Sequence, residues 1–187
     1  FTAETKDRGD KILAVRMTDA TINADIIKNK SLEENIATSS VSFAKNYGFS
    51  AILLDYETSA FGFDSTIRNI TDFYTIFAKK TREANLKFYV AMFGDTYYRA
   101  RAYDAIKIGK LADKVFIMAY DFHKSKGNPG PNFPLYGKEQ YGYDFSKMID
   151  DFQKDVSNDK IVVTLGYFGY DWRVDKSGGS IADGVPM

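Results

Sequence analysis

The 187-residue chain combines zero net charge with a high aromatic content: 25 Lys and Arg balance 25 Asp and Glu, 16% of the residues are aromatic, and there is one His and no Cys. This charge balance offers no basic surface for nucleic acid or an anionic membrane, and the absence of Cys excludes disulfide scaffolds and thiolate metal sites. No segment approaches the roughly 18 apolar residues that span a bilayer, so no membrane insertion is expected. The first residues contain neither an initiator Met nor a signal-peptide pattern. We therefore expect a soluble, processed or trimmed piece that forms one domain over residues 1–187.

Five short apolar segments predict buried β-strands. Each has the length of a strand that is covered on both faces. They are 11–17 (KILAVRM), 51–55 (AILLD), 87–93 (KFYVAMF), 114–120 (KVFIMAY) and 160–165 (KIVVTL).

Helical patterns alternate with these segments. Apolar residues recur at helical spacing over 31–46, 64–85, 98–111 and 144–157. Ser31 and Glu34 suggest a capping box at the start of the first helix. Alternation of strands and helices predicts an α/β fold with a parallel sheet, because parallel neighbours need crossover connections.

The sheet could be doubly wound or part of a (β/α)8 barrel. A dinucleotide-binding sheet would need a Gly-rich turn after its first strand, and no Gly directly follows Met17. A flavodoxin-like sheet fits the strand count but does not explain the polar residues at the strand ends. A barrel places its chemistry at those ends, so it is the favoured fold.

A Gly- and Pro-rich loop at 126–134 is expected to belong to the site, and the tail at 177–187 is expected to be flexible or truncated.

Asp55 and Glu57 close the second predicted strand and are two residues apart, so they share a face. Two carboxylates that disfavour each other's ionisation can take different roles in acid and base chemistry. On spacing alone, ordinary acidic residues at a strand end are the favoured explanation, because such residues are common there. Tyr120 and Asp121 end the fourth strand, where a neutral hydroxyl could hold a substrate carbonyl, although a core aromatic is the alternative.

The single His and the single Trp restrict the remaining chemistry. His123 alone cannot form a two-His metal site, and we predict a hydrogen-bonding role for it in the loop after strand four. Trp172 lies in the aromatic segment 166–172 (GYFGYDW), where it could stack on a sugar ring or pack against a neighbouring loop.

Three segments together resemble the family 18 glycoside hydrolases, the chitinase-like enzymes. YGFSAILLDYE at 47–57 is similar to that family's YGFDGIDIDWE signature, or DxxDxDxE. MAYDFH at 118–123 resembles its MxYDxH element, followed by a similar PGP loop, and KIVVTLGYFGYDW at 160–172 resembles its KIVLGVPYYGYDW strand. The three motifs stand in the family's order and cover most of the chain.

The resemblance implies a (β/α)8 barrel and a retaining reaction in which the substrate's own N-acetyl oxygen is the nucleophile. Glu57 would be the general acid and then the base, Asp55 would orient the acetamido group, and Tyr120 would hold its carbonyl. Asp121 and Met118 would line the sugar subsite, joined by Tyr167 and Trp172. The implied partner is an N-acetylglucosamine-containing glycan, either chitin or peptidoglycan with the latter slightly favoured, and neither cofactor nor metal is expected.

The chain departs from the family pattern in three places. Ser50 and Leu53 stand where the motif has its first two Asp residues, and the Ser-Gly-Gly turn after the family's third strand is absent. A catalytically weak or inactive chitinase-like carbohydrate-binding protein is therefore the alternative function. An unrelated flavodoxin-like domain that binds a flavin or phosphate is a third.

The matched motifs correspond to barrel strands three to seven, whereas a complete barrel takes about 250 residues. We therefore expect a partial barrel that is completed by strands of a parent chain. An open five-stranded piece would expose two edges and should associate or aggregate. The implied substrate predicts an extracellular or cell-wall location.

Overall fold

The computed structural model describes residues 9–58, 62–99 and 101–187. Its main sheet has five parallel strands in chain order, and this confirms the predicted parallel α/β sheet. All five predicted strands are present to within one residue at either end. They are β1 (Ile12–Met17), β2 (Ala51–Tyr56), β3 (Lys87–Phe93), β4 (Lys114–Ala119) and β5 (Ile161–Leu165).

The sheet is open: within the described residues, β1 and β5 do not pair with each other. Sequential parallel order with helical crossovers is the arrangement of a barrel wall rather than of a doubly wound sheet, in which strand order reverses. The register aligns Arg16 with Asp55 across β1 and β2, and Met118 with both Phe93 and Thr164 across the next strands. The five strands therefore form part of a (β/α)8 barrel wall.

The helices differ from the predicted ones mainly at their starts. There are six α-helices among the described residues, and a short 3-10 helix (Asn158–Lys160) precedes β5. None of them is long and apolar enough to cross a membrane. The six are α1 (Ala20–Ile26), α2 (Lys30–Asn46), α3 (Asp64–Glu83), α4 (Ala105–Leu111), α5 (Lys138–Tyr141) and α6 (Phe145–Asp155).

One predicted capping box and one predicted helix start were wrong because other residues cap the helices. Asn29, not Ser31, caps α2, since its side chain accepts a hydrogen bond from the Leu32 amide. The predicted helix at 98–111 begins only at Ala105, where the Asp104 carboxylate accepts from the Lys107 amide. Ala100 lies outside the described residues.

The tail is more ordered than predicted. Tyr170–Asp171 (β6) pairs antiparallel with Val185–Pro186 (β7), so the expectation of a flexible tail was wrong for these last residues. The Gly184 amide also donates to the Ser125 carbonyl at 2.6 Å, which ties the tail to the loop after β4.

The helices cover one face of the sheet, and aromatic residues fill the layer between. Alternate residues of β2 point into this layer, so Ile52, Leu54 and Tyr56 are at most 1% exposed. Phe73 and Phe77 of α3 pack edge to face, with ring centroids 5.2 Å apart, against this layer. The opposite face, which is the inside of the barrel wall, carries less buried residues such as Arg16 and Tyr89. The site residues lie at the carboxyl end of this inner face.

Candidate active site

Asp55 and Glu57 lie together at the carboxyl end of β2, on the inner face. The strand turns Tyr56 between them toward the helices, where its hydroxyl donates to the Asn23 carbonyl at 3.0 Å. Asp55 is 8% exposed, and the Glu57 side chain is 28% exposed. Because side chains alternate along a strand and Tyr56 points to the helices, Asp55 and Glu57 both point to the same face, as their spacing predicted.

Arg16 joins the two carboxylates. Its Nε lies 3.1 Å from Asp55 Oδ2, and its Nη2 lies 3.9 Å from Glu57 Oε1. The parallel register makes this possible because Arg16 is directly opposite Asp55. Sequence reasoning missed Arg16, although a cation near the end of the apolar segment KILAVRM was the available signal.

Buried hydrogen bonds fix the backbone that carries Glu57. The Asn23 side-chain amide donates to the carbonyls of Met17 and Glu57, both at 2.7 Å, and so ties the ends of β1 and β2. The Tyr103 hydroxyl donates to the Tyr56 carbonyl at 2.6 Å. Asn23 belongs to α1, a seven-residue helix that was not predicted, and it is only 2% exposed. The position of Glu57 is therefore set by residues far away in sequence.

The electrostatic environment favours a protonated Glu57. Burial raises the pKa of the Glu57 carboxyl, the negative charge of Asp55 raises this pKa further, and the charges of Arg16 and Lys124 oppose part of the rise. The buried Asp55 Oδ1 has no hydrogen-bond partner in the described part of the chain. A buried acceptor without a partner is costly, so this oxygen would gain from a donor.

Tyr120 and Asp121 face the carboxylates from the end of β4. Burial, followed by the charges of Asp55 and Glu57, raises the pKa of the Tyr120 hydroxyl, which therefore stays neutral. Asp121 adopts a left-handed conformation with φ of 57°, which Asp tolerates better than most residues. The Asn132 side chain holds it by accepting from the Asp121 amide at 2.6 Å, and the Tyr170 hydroxyl donates to Asp121 Oδ1 at 2.8 Å.

The remaining predicted site residues differ in their positions. Met118 lies on the inner face of β4, is 6% exposed, and is aligned with Phe93 of β3. Tyr167 projects fully into solvent beyond β5. Trp172 is half-buried, donates its indole N–H to the Ser125 carbonyl at 3.1 Å, and packs on Tyr170 with ring centroids 5.6 Å apart. Its contacts are those of loop packing.

His123 has the hydrogen-bonding position that was predicted for it. Its Nδ1 lies 2.8 Å from the Pro131 carbonyl oxygen, which can only accept, so Nδ1 carries the proton of this hydrogen bond. The ring also lies against Gly130, where an added Cβ would come within 2.5 Å of it. Among the described residues, no three His, Asp or Glu side chains are grouped to hold a metal ion.

Ser50 and Leu53 have structural positions. The Ser50 hydroxyl donates to the Lys11 carbonyl at 3.2 Å, where β1 and β2 begin. Leu53 lies on the same face as Asp55 and two residues before it, opposite Ala14 of β1. An apolar side chain there provides no hydrogen-bond donor for Asp55 Oδ1. Within the part of the chain that the structure describes, the salt bridge of Asp55 is the one with Arg16.

The family model for glycosyl hydrolases family 18 matches residues 18–185, which is most of the chain. The chain belongs to glycoside hydrolase family 18. Among curated relatives, the Bacillus subtilis protein named as sporulation-specific glycosylase YdhD is 23% identical over 167 residues, covering 86% of this chain and 36% of that protein. An Arabidopsis thaliana class V chitinase is 25% identical over 166 residues, covering 84% of this chain and 44% of the chitinase.

Solved structures of family 18 proteins share the fold. The YdhD structure matches with a TM-score of 0.83 at 19% identity, covering all of this chain and 62% of that one. A mutant of an Ostrinia furnacalis group II chitinase catalytic domain, in complex with (NAG)5, matches with a TM-score of 0.78 at 18% identity, covering all of this chain and 52% of that one. This family 18 chain therefore spans a little over half of these solved chains, and less than half of the curated relatives.

Proposed function

We propose that the chain carries the catalytic centre of a retaining glycosidase that cleaves β-1,4-linked N-acetylglucosamine glycans with the substrate's acetamido group as nucleophile. The observation that supports this best is the pairing of Asp55 and Glu57 at one guanidinium, opposite Tyr120. Family membership supports the same chemistry, since substrate-assisted cleavage is the family's exception to the two-carboxylate scheme.

Glu57 is the proton donor in this proposal. Its raised pKa keeps the carboxyl protonated at higher pH than that of an ordinary Glu, as a general acid requires. As the glycosidic bond breaks, the Glu57 proton moves to the leaving oxygen while the acetamido oxygen bonds to the anomeric carbon. The resulting Glu57 carboxylate then removes a proton from the water that attacks this carbon, and the bond between the carbon and the acetamido oxygen breaks. This second displacement restores the acid and the free acetamido group, and two inversions together retain the configuration.

Asp55 and Tyr120 hold the acetamido group. Asp55 Oδ1 has no hydrogen-bond partner in the described structure, and rotation of its side chain would present this oxygen to the acetamido N–H. The neutral Tyr120 hydroxyl can donate to the acetamido carbonyl before it attacks. Asp121, Met118, Tyr167 and Trp172 are proposed as sugar-binding residues, with Tyr167 and Trp172 supported least because one is in solvent and the other packs a loop.

Glu57→Gln tests the catalytic proposal. Gln keeps the shape of the side chain but cannot act as a proton donor to the leaving oxygen, so release of new reducing ends from N-acetylglucosamine oligomers should fall by at least about a hundredfold. Oligomer binding, measured by calorimetry, should remain. If the wild-type chain itself releases no reducing ends, the proposal of catalysis fails.

A carbohydrate-binding protein without turnover is the second candidate function. It is favoured by Leu53, which takes the place of an Asp of the motif, and by Arg16, whose charge opposes protonation of Glu57. Binding of oligomers by the wild type, together with no new reducing ends after prolonged incubation, would support this candidate. In either case the glycan substrate leads us to propose an extracellular or cell-wall location.

A further inference from the structure

A concave surface lies in the loops that follow β3 and β4. It encloses about 430 Å³, within the range of small-molecule sites. Four cationic side chains line it: Arg99, Arg101, Lys124 and Lys126, together with Phe122 and His123. We call it the basic pocket.

One buried carboxylate holds the two arginines of the basic pocket in place. Arg101 donates to both oxygens of Asp95, with its Nε 2.9 Å from Oδ1 and its Nη2 2.8 Å from Oδ2, while Arg99 also pairs with Oδ2. The Asp95 side chain is only 5% exposed. Arg99 lies over the ring of Phe122 at 4.6 Å, and Arg101 lies over that of Phe93 at 4.1 Å. Both guanidinium groups are therefore fixed before any ligand arrives.

The pocket keeps a positive charge that its own residues do not neutralise. Asp95 supplies one negative charge against four cations, which leaves an excess of three positive charges in a chain whose net charge is zero. Within the described residues, neither Lys124 nor Lys126 forms a salt bridge. Such a concentration of fixed cations attracts anionic groups.

The basic pocket approaches the candidate active site through Lys124. Lys124 Nζ lies 5.9 Å from the ring centroid of Phe93, which ends β3 on the inner face next to Met118. Lys124 is also close enough for its charge to lower the pKa of Glu57. Asp121 is only three residues before Lys124 in the same loop. Lys124 therefore links this pocket to the candidate active site.

We propose that the basic pocket binds a carboxylate substituent of the glycan, so that the chain selects carboxylated N-acetyl glycans over neutral N-acetylglucosamine polymers. This inference rests on the proposed function. The proposed cleavage needs a continuous glycosidic chain, so the anionic charge must be a substituent rather than part of the linkage. Planar guanidinium groups and lysine ammonium groups are the natural partners of such carboxylates.

The test compares binding of three probes by the full chain in calorimetry. The probes are a neutral N-acetylglucosamine oligomer, peptide-free glycan strands that alternate N-acetylglucosamine with N-acetylmuramic acid, and the same strands with their lactyl carboxylates converted to amides. We expect the carboxylated strands to bind about tenfold more tightly than the amidated ones, as one charge-assisted contact provides, with the difference shrinking at high salt. A peptide-bearing strand forms a fourth arm. If only the peptide-bearing strands bind more tightly, the pocket binds the carboxylates of the peptide instead of the lactyl carboxylate, through the same kind of charge-assisted contact.

The variant Lys126→Gln should weaken this preference and leave the affinity for the neutral oligomer unchanged, because Lys126 lines the pocket and has no charge effect on Glu57 among those that shift its pKa. Lys79→Gln is the matched control, since Lys79 is exposed on α3 and pairs only with Glu83 in the described structure. Equal affinity of the wild type for carboxylated and amidated strands would overturn the inference while leaving the proposed function intact. Failure of the wild type to bind even the neutral oligomer would instead overturn the proposed function.

Discussion

At the scale of single residues, Arg16 changes how the carboxylate pair works. A motif with Asp at position 53 would let two carboxylates share a proton, whereas here Leu53 is apolar and the compensating charge comes from the neighbouring strand. A cation stabilises the ionised form of a nearby carboxyl and so limits the rise of the Glu57 pKa that burial and Asp55 cause. Arg16 therefore favours the ionised form of Glu57, against the larger effects of burial and Asp55.

Replacing Arg16 with Met should raise the pKa of Glu57, because the ionised carboxylate loses a stabilising charge. The acid form then persists to higher pH, so the alkaline limb of the kcat/KM profile should shift to higher pH. The side chain of Arg16 is 68% exposed, so the fold should tolerate the change. Arg82→Met on the exposed surface of α3 is the control, and an alkaline limb that stays in place in both variants would contradict the assigned role.

Asp95 is the residue whose loss should be most damaging to stability near the site. Burial opposes ionisation of Asp95, but hydrogen bonds and charges from Arg101 and Arg99 outweigh it and lower the pKa of this carboxyl. Removing one partner from a buried ion pair costs about 3 kcal/mol or more, so Asp95→Asn should lower the free energy of unfolding by that amount near pH 7.

The pH dependence of this loss provides the check. A carboxyl with a lowered folded-state pKa stabilises the protein above its unfolded pKa of about 3.9, and this contribution disappears as the pH falls through the folded-state pKa. Urea unfolding should therefore show a large difference between wild type and Asp95→Asn at pH 7 and a smaller one at strongly acidic pH. Asp72→Asn, on the exposed face of α3, should show little difference at either pH.

At the scale of elements, the strands and long helices were predictable because their patterns are local. Short apolar segments and a 3.6-residue period identify β1 to β5, α2, α3 and α6. The short helices α1 and α5 were missed because seven and four residues contain too little periodicity. Asp55, Glu57 and Tyr120 were found from the strand ends, and the roles given to them remain predictions. The contacts of Arg16, Asn23 and Asn132 depend on pairing between distant segments, which the sequence pattern does not contain.

Gly166, directly after β5, limits the space behind Tyr120. An added Cβ would lie 2.7 Å from Asn132 Nδ2 and 2.8 Å from the Tyr120 Cβ, closer than such contacts allow. Gly166→Ala should therefore displace Tyr120 and Asn132, weaken oligomer binding in calorimetry, and lower stability by about 1–3 kcal/mol. Gly169→Ala is the matched control in the same segment, because the nearest atom to its added Cβ is 4.0 Å away. Equal effects of both substitutions would contradict this explanation.

At the scale of the whole molecule, the open sheet determines behaviour in solution. In the described structure β1 and β5 each have one paired edge, and exposed apolar side chains such as Ile12 and Leu165 accompany them. Unpaired strand edges recruit other strands. The family 18 fold avoids this by closing into a barrel, and the five strands of this chain form only part of that wall.

The 187-residue chain should therefore self-associate as its concentration rises, which sedimentation velocity can measure. Ile12→Lys places a charge on the β1 edge and should shift the distribution toward the monomer. Ile22→Lys adds the same charge on α1, where Ile22 is 58% exposed, and should leave the association unchanged. A single monomeric species at every concentration would contradict the prediction.

Trp172 is the only tryptophan of the chain, and this makes it an optical reporter for one place in the molecule. Its indole N–H is bonded to the carbonyl of Ser125, the residue that separates Lys124 from Lys126, and Gly184 of the tail lies against its ring. Any movement of that loop changes the polarity around the indole. Intrinsic fluorescence excited at the tryptophan band should therefore follow ligand entry into the basic pocket without a label, separately from events at the helices.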